Sequence, residues 1–344
     1  MKNLALTVLV VLLIFLSACG SQPQPTQFEP SSQIPVIYDD DGSPDGTTAL
    51  FYLLSHPQVD LQAVTISYGE AHPEIYIQHI AGKLAEFGIT DIPLGYGQDG
   101  PLAGTNEFPE EVRQAANDFW GLPRSEKDGT YSTQAAPELI VTVINDAPAP
   151  VTVFVSGPAT NLAQALRLDP SLKENIQAVY MMGGAVYVPG NIQDFYPNSE
   201  NEVAEWNIFA DAQAAKEVFE SGIDIYLVPL DATNYLPVTM EFYKRLERDR
   251  TTSVAEFVYR VLTMQQQYIR LGSYYFWDPL AAAIATEEAL ATFQQIPLIV
   301  VEEEGPESGR TLKSERGFII RVAMQADRER FEALFLDAVN GRLP

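Results

Sequence analysis

Short apolar runs rich in β-branched residues alternate with stretches of helical spacing along nearly the whole chain, and this alternation limits the possible folds more than any other feature. Residues 35–38, 61–67, 92–96, 151–156, 178–182 and 223–229 read as buried strands. Between them, residues 47–55, 74–87, 135–145, 159–168 and 210–221 have helical spacing. Buried strands need helices on both faces, so the expected class is α/β: a single large domain with a mainly parallel central sheet flanked by helices. The C-terminal part adds a long helix around 253–271, a helix starting near Asp278, strands at 296–301 and 317–324, and a closing helix at 327–340. No internal linker or repeat divides residues 34–344.

The chain opens differently. Lys2 precedes an apolar run from Leu4 to Leu16 that ends in Ser17-Ala18-Cys19-Gly20. The run is short for a membrane span, and the Leu-Ser-Ala-Cys ending resembles a bacterial lipobox, whose cysteine becomes the lipidated first residue. Residues 1–19 are thus expected to be a lipoprotein signal peptide, with Cys19 anchoring the protein to the cell envelope, facing outside the cytoplasm. An ordinary secretory signal or an uncleaved anchor is the alternative. Cys19 is the only cysteine, so an exported chain of this sequence forms no internal disulfide. Residues 20–33, rich in Gln, Pro and Ser, read as a flexible tether. The formal net charge of −25 argues against nucleic acid or an anionic membrane surface as an electrostatic partner.

In open parallel sheets, ligands bind at the carboxyl ends of the strands, and the polar clusters of this sequence fall there. Asp39-Asp40-Asp41 follows the first strand, Tyr68-Gly69-Glu70 the second, Gly157-Pro158-Ala159-Thr160-Asn161 the fourth and Gly183-Gly184 the fifth. Two long irregular segments, 98–133 and 187–204, leave the same edge and are expected to form lids or walls. Alternation along a strand lets Asp39 and Asp41 converge while Asp40 faces elsewhere. Gly42-Ser43-Pro44 then turns the chain so that Asp45 returns at the start of a helix.

Three readings of this acidic turn compete. An EF-hand fits poorly, because Pro44 falls where its glycine is required and Leu50 where its bidentate glutamate should be. A solvated turn with helix-capping aspartates explains an isolated cluster of this kind. A site for a hard cation such as calcium or magnesium requires oxygen partners from elsewhere in the chain.

Further motifs supply such partners: Gly157-Pro158-Ala159-Thr160-Asn161-Leu162-Ala163, Met181-Met182-Gly183-Gly184-Ala185 leading to Pro189-Gly190-Asn191, Ala204-Glu205-Trp206-Asn207-Ile208, and Trp277-Asp278-Pro279-Leu280-Ala281. Together with Asp39-Asp40-Asp41-Gly42-Ser43-Pro44-Asp45, and in this order, they resemble the inosine-uridine-preferring nucleoside hydrolase family, with interruptions, from about Val36 to Leu343. The resemblance implies a catalytic domain over 34–344 with a Rossmann-like core, which hydrolyses the N-glycosidic bond of ribonucleosides to free base and ribose. It implies a calcium ion as cofactor, a nucleoside as the small-molecule partner and assembly into homo-oligomers. Carried over residue by residue, Asp41 looks like both a metal ligand and the base that deprotonates a water held by the metal. Asp278 and the main-chain carbonyl of Thr160 look like further ligands. Asp45, Asn191, Glu205, Asn207 and Asp278 look like the groups on the ribose hydroxyls, with Asp39 supporting the cluster from behind. Such carboxylates also suit the positive charge that builds on the sugar as the bond breaks.

The sequence departs from the family in three places. The family turn ends in two aspartates, but here the second is Gly46, so the metal site loses one carboxylate unless Asp45 or Asp40 substitutes for it. Glu70 stands where members carry Asn. Trp277 replaces the histidine that protonates the departing base in inosine-uridine-preferring members, which leaves His72 as the one histidine near the binding edge; His56 and His79 lie in helical surroundings. Trp120, Trp206 and Trp277 are the only tryptophans. Resemblance to purine-specific members, which sandwich the base between tryptophans, implies a stacking role for Trp120 and Trp277, with Trp206 either contacting substrate or packed in the core, and a preference for purine ribonucleosides. The rival expectations are a lipoprotein of this fold that binds a nucleoside or sugar without cutting it, and a hydrolase of another ribosyl substrate.

Overall fold

The computed structural model describes residues 33–132 and 134–344. The signal peptide with Cys19, and the tether up to residue 32, lie outside the described residues. The strands are β1 (Ile34–Asp40), β2 (Val59–Ile66), β3 (Leu94–Tyr96), β4 (Val151–Val155), β5 (Ile176–Met182), β6 (Ile225–Val228), β7 (Ala291–Val300), β8 (Thr311–Lys313) and β9 (Phe318–Ala326). They form one nine-stranded sheet in the order β3-β2-β1-β4-β5-β6-β9-β7-β8. Eight of the nine strands point the same way, and β7 alone reverses, pairing antiparallel with both β9 and β8. The α/β class with a mainly parallel sheet is as expected.

Strand order decides where a ligand can sit. The chain runs outward from β1 through β2 to β3, then returns to place β4 on the other side of β1. Helices leaving β1 and β4 therefore diverge, opening a crevice at their carboxyl ends. Asp39 and Asp40 end β1, Asp41 follows directly, and Gly157 to Asn161 follow β4.

Two apolar clusters cover the faces of the sheet. One includes Tyr38, Phe51, Ile80 and Phe335, the other Ile37, Ile140, Val153 and Val218. Tyr38 and Ile37 fall in different clusters because consecutive side chains of a strand point to opposite faces. A third, smaller cluster joins the two long segments: Phe108 from the first stacks on Trp206, beside Ile192 and Ala204 from the second. Both segments are thus walls fixed to the edge, as expected. The first also holds a helix, Glu110–Asn117, absent from the sequence reading.

Two expected helices are broken. The one at 210–221 is divided at Asp211, which lies between helices Trp206–Ala210 and Ala212–Phe219. Its carboxylate caps the second helix at the Ala214 amide and also accepts from Leu102 N and Thr160 Oγ1, contacts that helical spacing cannot encode. The long helix at 253–271 ends at Met264 and resumes at Gln266.

Candidate active site

Asp39 lies deepest. Thr65 on β2 donates to its Oδ1 at 2.6 Å and Asn161, just past β4, at 2.8 Å, so the residue stitches together the strands that flank the crevice. Asp41 stands forward of it, its Oδ2 accepting from Glu70 N at 3.2 Å. The two turns around Asp41 contain glycine for a steric reason. A Cβ at Gly69 or at Gly157 would stand 2.5 Å from the Asp41 Cβ. Gly157→Ala is expected to push Asp41 out of position and lower kcat by about 100-fold, as displacements near 1 Å do. Equal kcat in wild type and variant would show that Asp41 tolerates the shift.

Two helix N-termini meet on the other side of the crevice. Helix Pro44–Ser55 is capped by Ser43, whose Oγ accepts from Gly46 N at 2.7 Å and donates to Asp278 Oδ2 at 3.0 Å. Asp278 lies in the first turn of helix Trp277–Thr286, and its amide donates to Asp45 Oδ2 at 3.2 Å. Positive helix ends favour carboxylates here, and they bring Asp45 and Asp278 together across 233 residues of sequence. Thr160 opens helix Thr160–Leu168 at the end of β4, with its hydroxyl on Asp211.

The third wall comes from the turn after β5 and its neighbours. Glu205 caps helix Trp206–Ala210, accepting from the amides of Asn207, Gly184 and Ile208. Asn207 Nδ2 reaches Met182 O at 3.1 Å, which anchors it at the end of β5. Asn191 Oδ1 accepts from Trp206 N and Asn191 O from the indole Nε1. Trp206 itself is buried against Phe108, Phe195 and Phe209, so its indole orders Asn191 and the wall behind it.

Electrostatics set this edge apart from the rest of the surface. Burial pushes Asp39, Asp40 and Glu205 up to about 7. Burial, then the like charges of Glu70 and Asp40, hold Asp41 well above the ordinary carboxylate range. Burial, then Asp45, Asp40 and Asp41, do the same for Asp278. As alternation predicts, Asp40 leaves β1 on the Tyr38 face, its Oδ1 against the hydroxyls of Tyr38 and Ser156, while its negative charge still contributes to raising Asp41, Asp278 and Glu70. Each of these shifts has the sign that a nearby cation would reverse.

Two further observations bear on a metal. Asp40 Oδ2 and Asp41 Oδ1 are buried without any hydrogen-bond partner, a costly arrangement for carboxylate oxygens unless a cation meets them. Yet among the described residues no three His, Cys, Asp or Glu side chains stand close enough together to hold a metal ion between them. The unpartnered donors are carboxylate oxygens, whose chemistry suits a hard divalent ion completed by carbonyl oxygen or water.

Trp120 and Trp277 are both half-buried. Trp120 Nε1 donates to Gly42 O at 2.8 Å, tying the first long segment to the acidic turn, and Phe119 and Trp120 both hold positive φ, 53° and 55°. Trp277 stands beside Tyr274 and Tyr275 at the head of its helix. His72 is committed to Asn117 through Nδ1, with Asp99 3.9 Å from Nε2. Sequence reasoning missed Ser43, Asn161 and Tyr274, whose buried hydroxyl has no partner. The Ser43-Pro44 pair, a cap residue before a proline in the first helical turn, is the one local signal that could have found Ser43.

Comparison with known proteins agrees with this geometry. A family model described as inosine-uridine preferring nucleoside hydrolase matches residues 36–333. The chain is 32% identical to the pyrimidine-specific ribonucleoside hydrolase RihA of Klebsiella pneumoniae, over 65% of this chain and 70% of that one. It superposes on a purine-preferring ribonucleoside hydrolase from Gardnerella vaginalis with a TM-score of 0.77 at 26% identity, covering 90% and 98% of the two chains. It shares its fold with an inosine-uridine preferring nucleoside hydrolase from Bacillus anthracis, at a TM-score of 0.78 and 24% identity over 90% of this chain and all of that one. The motifs in their order, the strand order that gathers them and the family match over most of the chain lead to one conclusion: this protein belongs to the inosine-uridine preferring nucleoside hydrolase family and is an N-ribohydrolase.

Proposed function

We propose that this enzyme hydrolyses purine ribonucleosides in preference to pyrimidine ones, with Asp41 as the general base. The observation that carries the chemistry is the buried, unpartnered Oδ1 of Asp41, held forward between two glycine turns at the edge where Asp45 and Asp278 meet. Asp41, in its charged form, takes the proton of a water beneath the sugar. Asp45, Asn191, Glu205, Asn207 and Asp278 hold the ribose hydroxyls and fix the anomeric carbon against that water. Asp39 keeps Asp41 and its strand in place. The surrounding carboxylates stabilise the positive charge of the transition state.

Asp41, Asp45, Asp278 and the main-chain carbonyl of Thr160 would hold calcium. When bound, that ion supplies a positive charge that makes the attacking water more acidic.

The preference for purines rests on Trp120 and Trp277, half-buried at the crevice where relatives carry base-contacting residues, and on the absence of a histidine at 277. RihA, similar over much of the chain, is pyrimidine-specific, so the base panel is the deciding test. With free base and ribose read separately, inosine or adenosine should exceed uridine in kcat/KM. Trp120→Ala and Trp277→Ala should each lower the purine value by about 5- to 100-fold, the range of a lost base-stacking contact. A uridine preference that survives both substitutions would overturn the stacking reading.

Export and lipidation at Cys19 form a separate proposal, supported by the lipobox sequence alone. The wild type should partition into detergent, and Cys19→Ser into the aqueous phase; equal partitioning would exclude the anchor.

A further inference from the structure

The turn that begins at Asp39 lacks a carboxylate at position 46, yet nothing about the space there is vacant. A Cβ at Gly46 would overlap Asp40 Oδ1 and stand 2.8 Å from Asp40 Cγ and from Ser43 Oγ. Asp40 thus occupies the volume a side chain at 46 would need, and the two positions exclude one another. The Asp40 side chain leaves the last residue of β1 on the same face as Tyr38. The hydroxyls of Tyr38 and Ser156 lie 3.2 and 3.1 Å from its Oδ1, and Tyr38 Oη also sits 2.8 Å from Gly46 O, which fixes the carboxylate against the first turn of helix Pro44–Ser55. Oδ2 has no partner, although the residue is only 1% exposed. A buried carboxylate tethered through one oxygen and bare at the other is built to meet a cation.

We infer that Asp40 supplies the carboxylate that position 46 lacks, joining Asp41, Asp45 and Asp278 as a side-chain donor to the divalent ion. The inference rests on the calcium site proposed above and names a ligand that the family pattern does not assign. The side chains do not yet meet at one point, so binding must draw Oδ2 inward while Oδ1 keeps its hydroxyl partners.

Calcium affinity, measured by equilibrium dialysis with radioactive calcium alone and no substrate, tests this directly. Wild type, Asp40→Asn, Asp40→Ala, Gly46→Asp and the double variant Asp40→Ala/Gly46→Asp would be compared, with circular dichroism to confirm folding. Asp40→Asn should bind calcium about 10- to 100-fold more weakly, because a charged donor becomes a neutral one. Gly46→Asp alone should be poorly folded or bind weakly, since two side chains compete for one space. The double variant should recover affinity to within a few-fold of wild type. Asp40→Asn binding as tightly as wild type would overturn the inference, as would a double variant no better than Asp40→Ala. If neither single Asp40 variant folds, the double variant decides: folded and calcium-binding supports the exchange, unfolded or calcium-free overturns it. Wild type that takes up no calcium would sink the calcium reading itself, a distinct outcome from failure of Asp40 alone.

Discussion

Asp41→Asn should lower kcat by about three orders of magnitude or more, the upper part of the range for loss of a general base, while the protein remains folded. The substitution keeps the shape of the side chain, and the amide oxygen can still accept from Glu70 N. What it removes is the proposed proton acceptor and one charge of the proposed cation site. Because Asp41 is buried among like charges, a neutral residue there relieves repulsion, and the melting temperature without metal should not fall. This separates a chemical defect from a folding one. Single-turnover release of ribose together with a thermal melt would check it, and a kcat within tenfold of wild type would remove Asp41 from the role of base.

Calcium removal should have the second largest effect, and it should depend on pH with a definite sign. Chelation is expected to abolish most of the activity and to lower the melting temperature by about 5 °C, the size expected from losing a ligand held at about one hundred times its dissociation constant. The pH dependence follows from the raised carboxylates. Asp39 and Asp40 titrate at about 7 in the folded protein, against roughly 4 in an unfolded chain. Between those values the folded state holds protons that the unfolded chain has released, so metal-free stability falls as pH rises through this window and the full penalty is present above 7. Bound calcium favours the charged forms and should flatten that decline. Melts at pH 5, 6, 7 and 8 with chelator and with calcium give the comparison. Parallel curves under both conditions would mean that no cation engages the acidic edge.

Much of the site was legible in the residues themselves. Asp39-Asp40-Asp41 could be placed at a strand's carboxyl end because apolar runs of four to seven residues before turn signals mark buried strands, and such ends are where open parallel sheets bind ligands. The structure brings Asp41, Asp45 and Asp278 to that one edge and sets Asn161, beside Thr160, against Asp39. Alternation holds for Asp39 and Asp40 inside the strand, whereas the direction of Asp41, one residue past it, depends on the glycine turns packed around it. Sequence alone left Trp206 between base contact and core packing, and only the neighbouring Phe108, from a segment with no periodic signal, shows its ring to be covered.

Local patterns, then, determined the element types, the parallel sheet and the identity of the acidic and amide groups, because side-chain periodicity of two or 3.6 is written along the chain itself. Tertiary packing decided which oxygens face one another. The Ser43 to Asp278 bond spans 235 residues, the break at Asp211 depends on a threonine from another helix, and the direction of Asp40 depends on the bare Cα of Gly46. Such contacts exist only once the sheet has ordered its strands, since each combines side chains whose separation along the chain carries no information about their distance in space.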